Sequence, residues 1–424
     1  MNSSERRVGK GNIALFVAGP VLSSVVFGKL SLPPFSSMGL GAGLPLILAI
    51  TLYGCMRGVF GFEVTRLALY LLMISWACAA QLFDKPFSVA SLCLLVGVFF
   101  PYTLRLRGNG SSVAASLDGK ALDSQDFFAN LGYVAALLGC AQIVVQQLAG
   151  PSIAFPIEHV LPKGLIIERF NYLNPIHYGS SIYKANGVFF LEPSFFSQFL
   201  AISLLVELSG RQRMHRVVAH LFGLACAFSG TGLIVLGCGV TALILARRQK
   251  ALIGVGLIVV LIAAAFGDAL RLNIFIDRVS EFSNVGTSAF ERFIAWTYML
   301  QDQFWNNTLS VWTGFGAGTF YEQQQVARYS VMESPFSKLI FEFGIPGAAF
   351  YFAFLLYCVV ASGASCPIKV GLLACIMMNG AYSESNTGIL LTLLLWPAAG
   401  SRFQTAARLV GSGSSHARSG EVAR

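Results

Sequence analysis

The sequence predicts an all-α protein that crosses a membrane about twelve times, each time as a helix. Of its 424 residues, 55% are hydrophobic and only 12% are charged, and the mean hydropathy is +0.68. A soluble domain carries about 25% charged residues. The length alone would suggest several soluble domains. The low charge and high hydropathy exclude that interpretation. Apolar runs of roughly 20 residues, enough to cross a bilayer, recur along the whole chain.

Each apolar run defines one predicted span. We expect the spans at residues 12–28, 38–56, 64–83, 86–104, 127–149, 190–209, 215–230, 231–246, 251–267, 336–361, 367–382 and 388–400. Because the number of spans is even, both chain termini should lie on the same side of the membrane.

Lysine and arginine residues predict the orientation, because cytoplasmic loops carry an excess of both. With a cytoplasmic N-terminus, 19 of the 29 basic residues fall on inside segments, and the short outside loops hold only Lys29 and Lys85. Most of the others lie in two long outside loops, 150–189 and 268–335. The net charge of +9 therefore reflects basic cytoplasmic loops, and nucleic acid is not expected as a partner.

The chain divides into three segments. Residues 1–126 form a four-span unit that ends in a polar, Gly/Ser-rich cytoplasmic connector. Residues 127–400 form a second transmembrane unit, which contains both long outside loops. Residues 401–424 are low in complexity and are predicted to form a disordered cytoplasmic tail. The nine cysteines include no C-x-x-C pair and are interpreted as small core residues, because most of them lie inside apolar spans.

The long outside loops are the informative part of the sequence, since a protein that only holds spans together keeps its loops short. Both loops are rich in aromatic residues. Their rings suit sugar faces, but Trp and Tyr also line membrane interfaces, so both interpretations remain open. The stretch 290–304, "FERFIAWTYMLQDQF", has the apolar spacing of an amphipathic helix on the outer membrane surface, with Arg292 near its start.

Glu192 and Pro193 open an apolar run that continues to Leu208. Proline is tolerated in the first turn of a helix, so Pro193 predicts where this span begins. Glu192 would then lie near the positive pole of the helix dipole, at or just below the outer membrane surface. Two interpretations remain open: a carboxylate that caps the helix, or one held where a lipid-linked substrate presents its head group.

Four stretches resemble, in order, the motifs of the O-antigen ligase and polysaccharide polymerase superfamily. They are "KANGVFFLEPSFFSQFLAISLLVEL", "FSGTGLIVLGCGVTALI" at 228–244, "AFERFIAWTYML" followed by "WTGFGAGTF", and "ESPFSKLIFEFGIPGAAFYFAFLL". In that family, a basic residue, a Gly and Glu-Pro-Ser open a span after an outside loop. The resemblance covers roughly residues 170–362. It implies a helical membrane fold like that of C-type glycosyltransferases, with 127–400 as the catalytic unit.

Two positions depart from the family pattern. The first basic position, commonly Arg in the family, is Lys184 here. Glu333-Ser334-Pro335 stands where the family often has a His-Asn pair. Because the second long loop contains no histidine at all, a histidine-based mechanism does not carry over to this chain.

The resemblance implies glycan transfer from undecaprenyl diphosphate to a sugar hydroxyl, at the outer face of a bacterial inner membrane. The expected enzyme is a polymerase that joins lipid-linked oligosaccharide repeat units into exopolysaccharide or O-antigen. A ligase to lipid A core or protein is similar in its motifs and remains open, as do a lipid-linked glycan flippase and a non-catalytic assembly subunit. The expected partners are the undecaprenyl-diphosphate-linked oligosaccharide, membrane lipids and other polysaccharide export proteins. No cofactor, nucleotide or metal is expected.

The resemblance and the residue chemistry together suggest a candidate site in the outside loops. Transfer from a lipid diphosphate needs cations to hold the developing negative charge, and a base can take the acceptor proton. The catalytic candidates are Arg292 as a cation, and Glu192 and Glu333 as bases. Glu333 occupies the position at which the family often has a histidine. The candidates for binding the diphosphate or the glycan are Lys184, Arg169, Arg278, Arg328 and Glu342. A structural role of Glu342 within the helical bundle remains open as well.

Overall fold

The computed structural model describes residues 10–31, 40–83, 86–107, 123–168, 170–176, 179–247 and 282–396. Of these residues, 70% are helical and 3% are in strands, which confirms the all-α prediction. Two of the helices are long and apolar enough to cross a membrane, as judged by length and composition.

Capping side chains fix where the third and fourth helices begin. The Glu63 carboxylate accepts the Arg66 N–H, and the Ser88 hydroxyl accepts the Ser91 N–H. Two short strands pair in antiparallel orientation and tie the ends of this unit together. The elements are α1 (Lys10–Val26), α2 (Gly43–Met56), β1 (Phe60–Phe62), α3 (Val64–Ala80), α4 (Val89–Phe99), a 3₁₀ turn (Phe100–Thr103) and β2 (Leu104–Leu106).

The middle of the chain forms four long helices and three short helical turns. Pro193 begins one of the long helices, as predicted, because proline fits the first helical turn. The elements are α5 (Ser124–Ala149), α6 (Pro151–Ala154), α7 (Pro156–Val160), a 3₁₀ turn (Lys163–Leu165), α8 (Pro193–Ser209), α9 (Met214–Ala227) and α10 (Gly230–Arg247).

The C-terminal part combines short helices from the second long loop with three further helices. Ser334 and Ser337 form a reciprocal capping box that starts the longest of these helices. The elements are α11 (Ser288–Phe293), α12 (Ala295–Met299), a π-helical turn (Leu300–Phe304), α13 (Thr308–Thr313), α14 (Phe320–Gln325), α15 (Pro335–Val360), α16 (Cys366–Met378), α17 (Glu384–Leu390) and a π-helical turn (Leu391–Leu395).

The predicted spans and the observed helices correspond closely. Within the described residues, each predicted span overlaps a helix, and α5 and α15 are the two that are long enough to cross a membrane. Most of the others are shorter than their predicted spans, because those spans include turn or extended residues at their ends. The predicted span 251–267 and the predicted tail 401–424 lie outside the described residues.

Helix α8 forms the centre of the core. Every side chain from Phe196 to Val206 is buried, and the helix packs against α5, α9, α10 and α16. A helix that is buried all round has to be surrounded by other elements. In addition, α3 packs against α15, and α1 packs against α2 and α17. The N-terminal unit and the rest of the chain therefore share one apolar core.

The predicted amphipathic helix at 290–304 is helical, but it is divided into α11, α12 and a π-helical turn. Phe290, Met299 and Phe304 are buried in one cluster with Phe320 of α14 and Phe341 of α15. Most of the apolar face therefore packs against the chain itself, whereas the sequence suggested that it lies on the membrane surface. Periodicity shows which face is apolar but not which partner covers it.

Glu384, the first residue of α17, lies against the start of α2. Its carboxylate is so close to Gly41 and Gly43 that a Cβ at either position would overlap it. One of its oxygens is fully buried. Burial raises the pKa of Glu384 to about 8, although the backbone N–H groups of Leu44 and Gly43 lower it.

We expect Glu384 to make the folded state less stable as the pH rises. Because its pKa is raised from 4.5 to about 8, its contribution is fully present below the unfolded value and is lost as the pH rises through about 8. The thermal unfolding midpoint in detergent should therefore decrease between about pH 5 and pH 9. Glu384→Gln should remove this part of the pH dependence, and Glu322→Gln, at an exposed site, should keep it. Identical pH profiles for Glu384→Gln and the parent would contradict the prediction.

Candidate functional site

The turn "KANG", from Lys184 to Gly187, is fixed from behind by a buried glutamine of α5. The Gln142 side-chain oxygen accepts the N–H groups of Asn186 and Gly187, and its amide group donates to the Asn186 side chain at 3.0 Å. Gly187 has a φ of +61°, which only glycine adopts readily. The turn is therefore built into the end of the helical core, and its position is set by α5.

A buried lysine supports the same turn. Lys29 follows α1, is fully buried, and places its Nζ 2.6 Å from a Glu158 carboxylate oxygen and 2.7 Å from the Val188 carbonyl oxygen. The same Glu158 oxygen accepts the Asn186 amide at 3.0 Å. Burial lowers the pKa of Lys29, and the charge of Glu158 opposes that effect. The sequence analysis used Lys29 only as a topology marker, because nothing local in the sequence indicates this ion pair.

Glu192 does not cap α8, although it occupies the N-cap position. Its carboxylate makes no capping hydrogen bond to the first turn of the helix. One oxygen accepts the Asn171 N–H at 3.0 Å, and the other accepts the Ser194 hydroxyl at 3.1 Å. The carboxylate is thus directed toward the first long loop, which removes the capping interpretation.

A short asparagine turn connects Lys184 to Glu192. The Lys184 N–H donates to the Asn174 carbonyl oxygen at 2.8 Å, and the Asn171 side chain donates to the Asn174 side chain at 3.2 Å. Asn171 in turn donates its N–H to Glu192. The structure therefore fixes the backbone of the predicted cation and the predicted carboxylate through the same turn.

Arg292, on α11, lies in the same region. Its guanidinium is partly buried and donates to the Met332 sulfur at 3.4 Å. Burial lowers the pKa of Arg292, and the negative charge of Glu192 opposes this effect. Among the described residues, no carboxylate lies within salt-bridge distance of this guanidinium. Its planar fork suits an anionic ligand, because it can bind two oxygens at once.

Hydroxyl groups of α8 and α10 line the other side of Glu192. The Ser197 hydroxyl donates to the Ser194 carbonyl oxygen at 2.8 Å and accepts the Gly232 N–H at 3.2 Å. The Thr231 hydroxyl also donates to the Ser194 carbonyl oxygen, at 3.3 Å. The "SGTG" stretch is therefore packed directly against "EPS", so two of the four stretches that suggested the family resemblance meet at this point.

Glu333 joins the start of α15 to the second long loop. One of its oxygens accepts the Ala381 N–H at 3.2 Å, and the other accepts the Tyr321 hydroxyl and lies 3.7 Å from the Lys338 ammonium. Lys338 also lies 3.2 Å from Glu342. Glu342 is therefore a buried counter-charge for Lys338, in agreement with the structural alternative given above.

The glycine turn from Gly314 to Gly318 is a packing element. Phe315 and Gly316 donate their N–H groups to the carbonyl oxygens of Phe341 and Glu342 in α15. Gly344 lies opposite with a φ of +71°, and a Cβ there would overlap the backbone of α13. On the far side, the Ala317 N–H donates to Gln81 and its carbonyl oxygen accepts the Ser88 N–H, at 3.0 and 2.7 Å. The glycines therefore allow close backbone contact, as expected for a turn.

The other predicted residues do not join this group. Arg328 is exposed, forms an ion pair with Asp302 at 2.9 Å and lies 5.9 Å from the Tyr298 ring. Arg169 and Arg278 lie outside the described residues. The structure thus links Lys184 to Glu192 through the asparagine turn, and Glu333 to Glu342 through Lys338, while Arg292 contacts Met332, the residue before Glu333.

The residue that the sequence analysis missed is Lys338. It stands four residues before Glu342 in an otherwise apolar helix, and this i,i+4 spacing of opposite charges was the signal that could have identified it.

Compared with models of known protein families and with curated proteins, the sequence gives no match.

Proposed function

We propose that the protein is a membrane glycosyltransferase that joins undecaprenyl-diphosphate-linked oligosaccharide repeat units into exopolysaccharide or O-antigen. In this proposal the chain spans the bacterial inner membrane about twelve times, with both termini in the cytoplasm, and acts at the outer face. The observation that carries the proposal is the polar cluster at the start of α8, where the Glu192 carboxylate accepts the Asn171 N–H of the first long loop and the Ser197 and Thr231 hydroxyls both bond to the Ser194 carbonyl oxygen.

The arrangement of the helices supports the proposed topology. Lys29, after α1, contacts the loop before α8, and Gln146, near the end of α5, bonds to Tyr183 of that loop. At the opposite end of the bundle, Asp126 at the start of α5 pairs with Arg213 after α8. Helices α1 and α5 therefore end at the end of the bundle where α8 begins, and α5 and α8 run in opposite directions, as spans joined by an outside loop would.

The charges of the region suit transfer from a lipid diphosphate. As the bond between the sugar and the diphosphate breaks, negative charge develops on the leaving group, and Arg292 and Lys184 would hold it. Arg292 suits phosphate because its planar fork binds two oxygens at once. A carboxylate, Glu333 or Glu192, would take the proton of the acceptor hydroxyl. The hydroxyl groups around Ser194 would bind the sugar by hydrogen bonds.

A flippase for the same lipid would be expected to line its route with charged residues in the middle of its spans. In the described parts of the chain, charged residues of the long helices lie within about two turns of a helix end. Glu207, for example, lies near the end of α8 and pairs with Arg213. This distribution favours chemistry at the ends of the helices over passage through the bundle.

Deletion of the gene, followed by analysis of the lipid-linked and surface glycans, tests the proposal. A polymerase deletion leaves single repeat units on undecaprenyl diphosphate. Full-length polymer that never reaches its final acceptor would instead indicate a ligase, and repeat units trapped on the cytoplasmic side would indicate a flippase. As a direct test, the purified protein in vesicles with the lipid-linked oligosaccharide should produce longer glycans and release the lipid diphosphate.

A further inference from the structure

The group at the start of α15 surrounds Lys338 with both charge and aromatic rings. The Lys338 side chain is only 4% exposed, and its Nζ lies between the carboxylates of Glu333 and Glu342. Three rings lie within 6 Å of it, those of Phe320, Tyr321 and Tyr382, at 5.8, 4.8 and 5.1 Å. Because a buried ammonium is costly unless it is paired, this lysine is held in one place.

The two oxygens of Glu333 have different surroundings. One is occupied by the Ala381 N–H at 3.2 Å. The other accepts a hydrogen bond from the Tyr321 hydroxyl, and Tyr321 is 42% exposed. A general base has to lie within hydrogen-bond distance of the substrate hydroxyl whose proton it takes. The Glu333 carboxylate is fixed in such a position toward the accessible Tyr321 hydroxyl. The position of the Tyr321 hydroxyl is therefore one where a sugar hydroxyl could be deprotonated.

This carboxylate is next to the proposed site of the leaving diphosphate. Met332 precedes Glu333 in the chain, its sulfur accepts the Arg292 guanidinium at 3.4 Å, and its N–H donates to the Glu291 carbonyl oxygen at 3.0 Å. A single residue thus connects the cation for the diphosphate to the carboxylate for the acceptor. The donor sugar would lie between the two.

We propose that Glu333 accepts the proton of an acceptor sugar hydroxyl that binds where the Tyr321 hydroxyl now lies, and that Lys338 is the positioning residue for Glu333. This inference rests on the proposed function. It also chooses between the two base candidates, and it leaves Glu192 with the donor side, close to Arg292.

The proposed step is balanced in atoms and charge. The acceptor oxygen forms a bond to the anomeric carbon of the donor sugar while the bond from that carbon to the diphosphate oxygen breaks. The acceptor proton passes to Glu333. The electron pair of the broken bond stays on the lipid diphosphate, next to Arg292 and Lys184. Glu333 then releases its proton to water.

The test uses the full-length protein in vesicles, with an undecaprenyl-diphosphate-linked oligosaccharide as donor and a soluble oligosaccharide as acceptor. Lys338→Met should reduce kcat at least about 100-fold, the scale of a misplaced general base, with little change in the KM of the acceptor. Lys338→Arg should restore most of the rate, because it keeps the charge. Glu322→Gln, at an exposed site in the same loop, should keep the parental rate, whereas Glu333→Gln should lose it.

A second variant serves as the control for correct folding. Lys338→Met alone leaves two buried carboxylates, but Lys338→Met combined with Glu342→Gln keeps the net charge of the cluster unchanged. This double variant should fold like the parent and still have the low kcat. The inference is overturned if the folded double variant turns over at the parental rate, or if Lys338→Arg is as slow as Lys338→Met. It is also overturned if Glu333→Gln keeps the parental rate. An inactive parental protein would instead overturn the proposed function.

Discussion

Replacing Arg292 with alanine is expected to reduce glycan transfer about 100- to 1,000-fold, the usual cost of removing one preorganised donor from a developing oxyanion. The Arg292 guanidinium is partly buried, and among the described residues it donates a hydrogen bond to the Met332 sulfur. Its loss breaks no ion pair among the described residues, so the variant should unfold at nearly the parental temperature. Arg292→Lys keeps the charge but loses the planar fork, so we expect intermediate activity.

The matched control is Arg328→Ala in the same loop. The sequence suggested both arginines as phosphate ligands, but the structure pairs Arg328 with Asp302 on the surface. Exposed ion pairs contribute little to stability, so Arg328→Ala should stay within about twofold of the parent in activity and close to it in thermal stability. The assay is transfer in vesicles with the lipid-linked oligosaccharide. Equal losses for the two variants would show that the second loop binds the substrate differently.

Replacing Lys29 with methionine is expected to have the largest effect on stability. The Lys29 and Glu158 side chains are 0% and 5% exposed, and they form the ion pair that holds the first long loop against α1. Removing one partner of a buried pair leaves an uncompensated charge and costs about 3–5 kcal/mol. We expect a lower thermal unfolding midpoint in detergent and faster proteolysis of residues 150–189.

Two further variants separate the ion pair from other effects. Glu158→Gln in the Lys29→Met background removes the orphaned charge, so it should recover part of the lost stability. Lys163→Met, in the same loop at an exposed site, should unfold at the parental midpoint. If Lys29→Met also unfolds at the parental midpoint, the buried pair does not hold the loop.

Hydropathy and helix signals predicted the helical class and the approximate positions of the helices, including the start of α8 at Pro193. They succeeded because these features depend on local sequence. The expectation that Glu192 and Arg292 share one site came from the family resemblance, since no local pattern relates two loops so far apart in the chain. Hydrophobic periodicity also left open which partner covers the helical segment at 290–304.

The buried ionisable side chains were the main feature that sequence reasoning did not predict. Lys29, Lys338 and Glu384 each lie where tertiary packing brings a partner or a helix end from elsewhere in the chain. A charged residue near the end of an apolar run looks the same in sequence whether it meets water or a carboxylate. Among these groups, only Lys338 has a local sequence signal, which is the opposite charge of Glu342 one helical turn later.

The glycine turn between α13 and α14 bonds to α15 on one side and to the connection between α3 and α4 on the other. The first four helices are therefore not an exchangeable module. The connection between α3 and α4 binds a turn that lies more than two hundred residues later in the chain. A chimera that takes these helices from another protein should need the matching turn and the matching glycine, Gly344, in α15. Without them, the helix that begins beside Glu333 would lose its lateral support, and specificity could not be transplanted by exchanging one half of the chain.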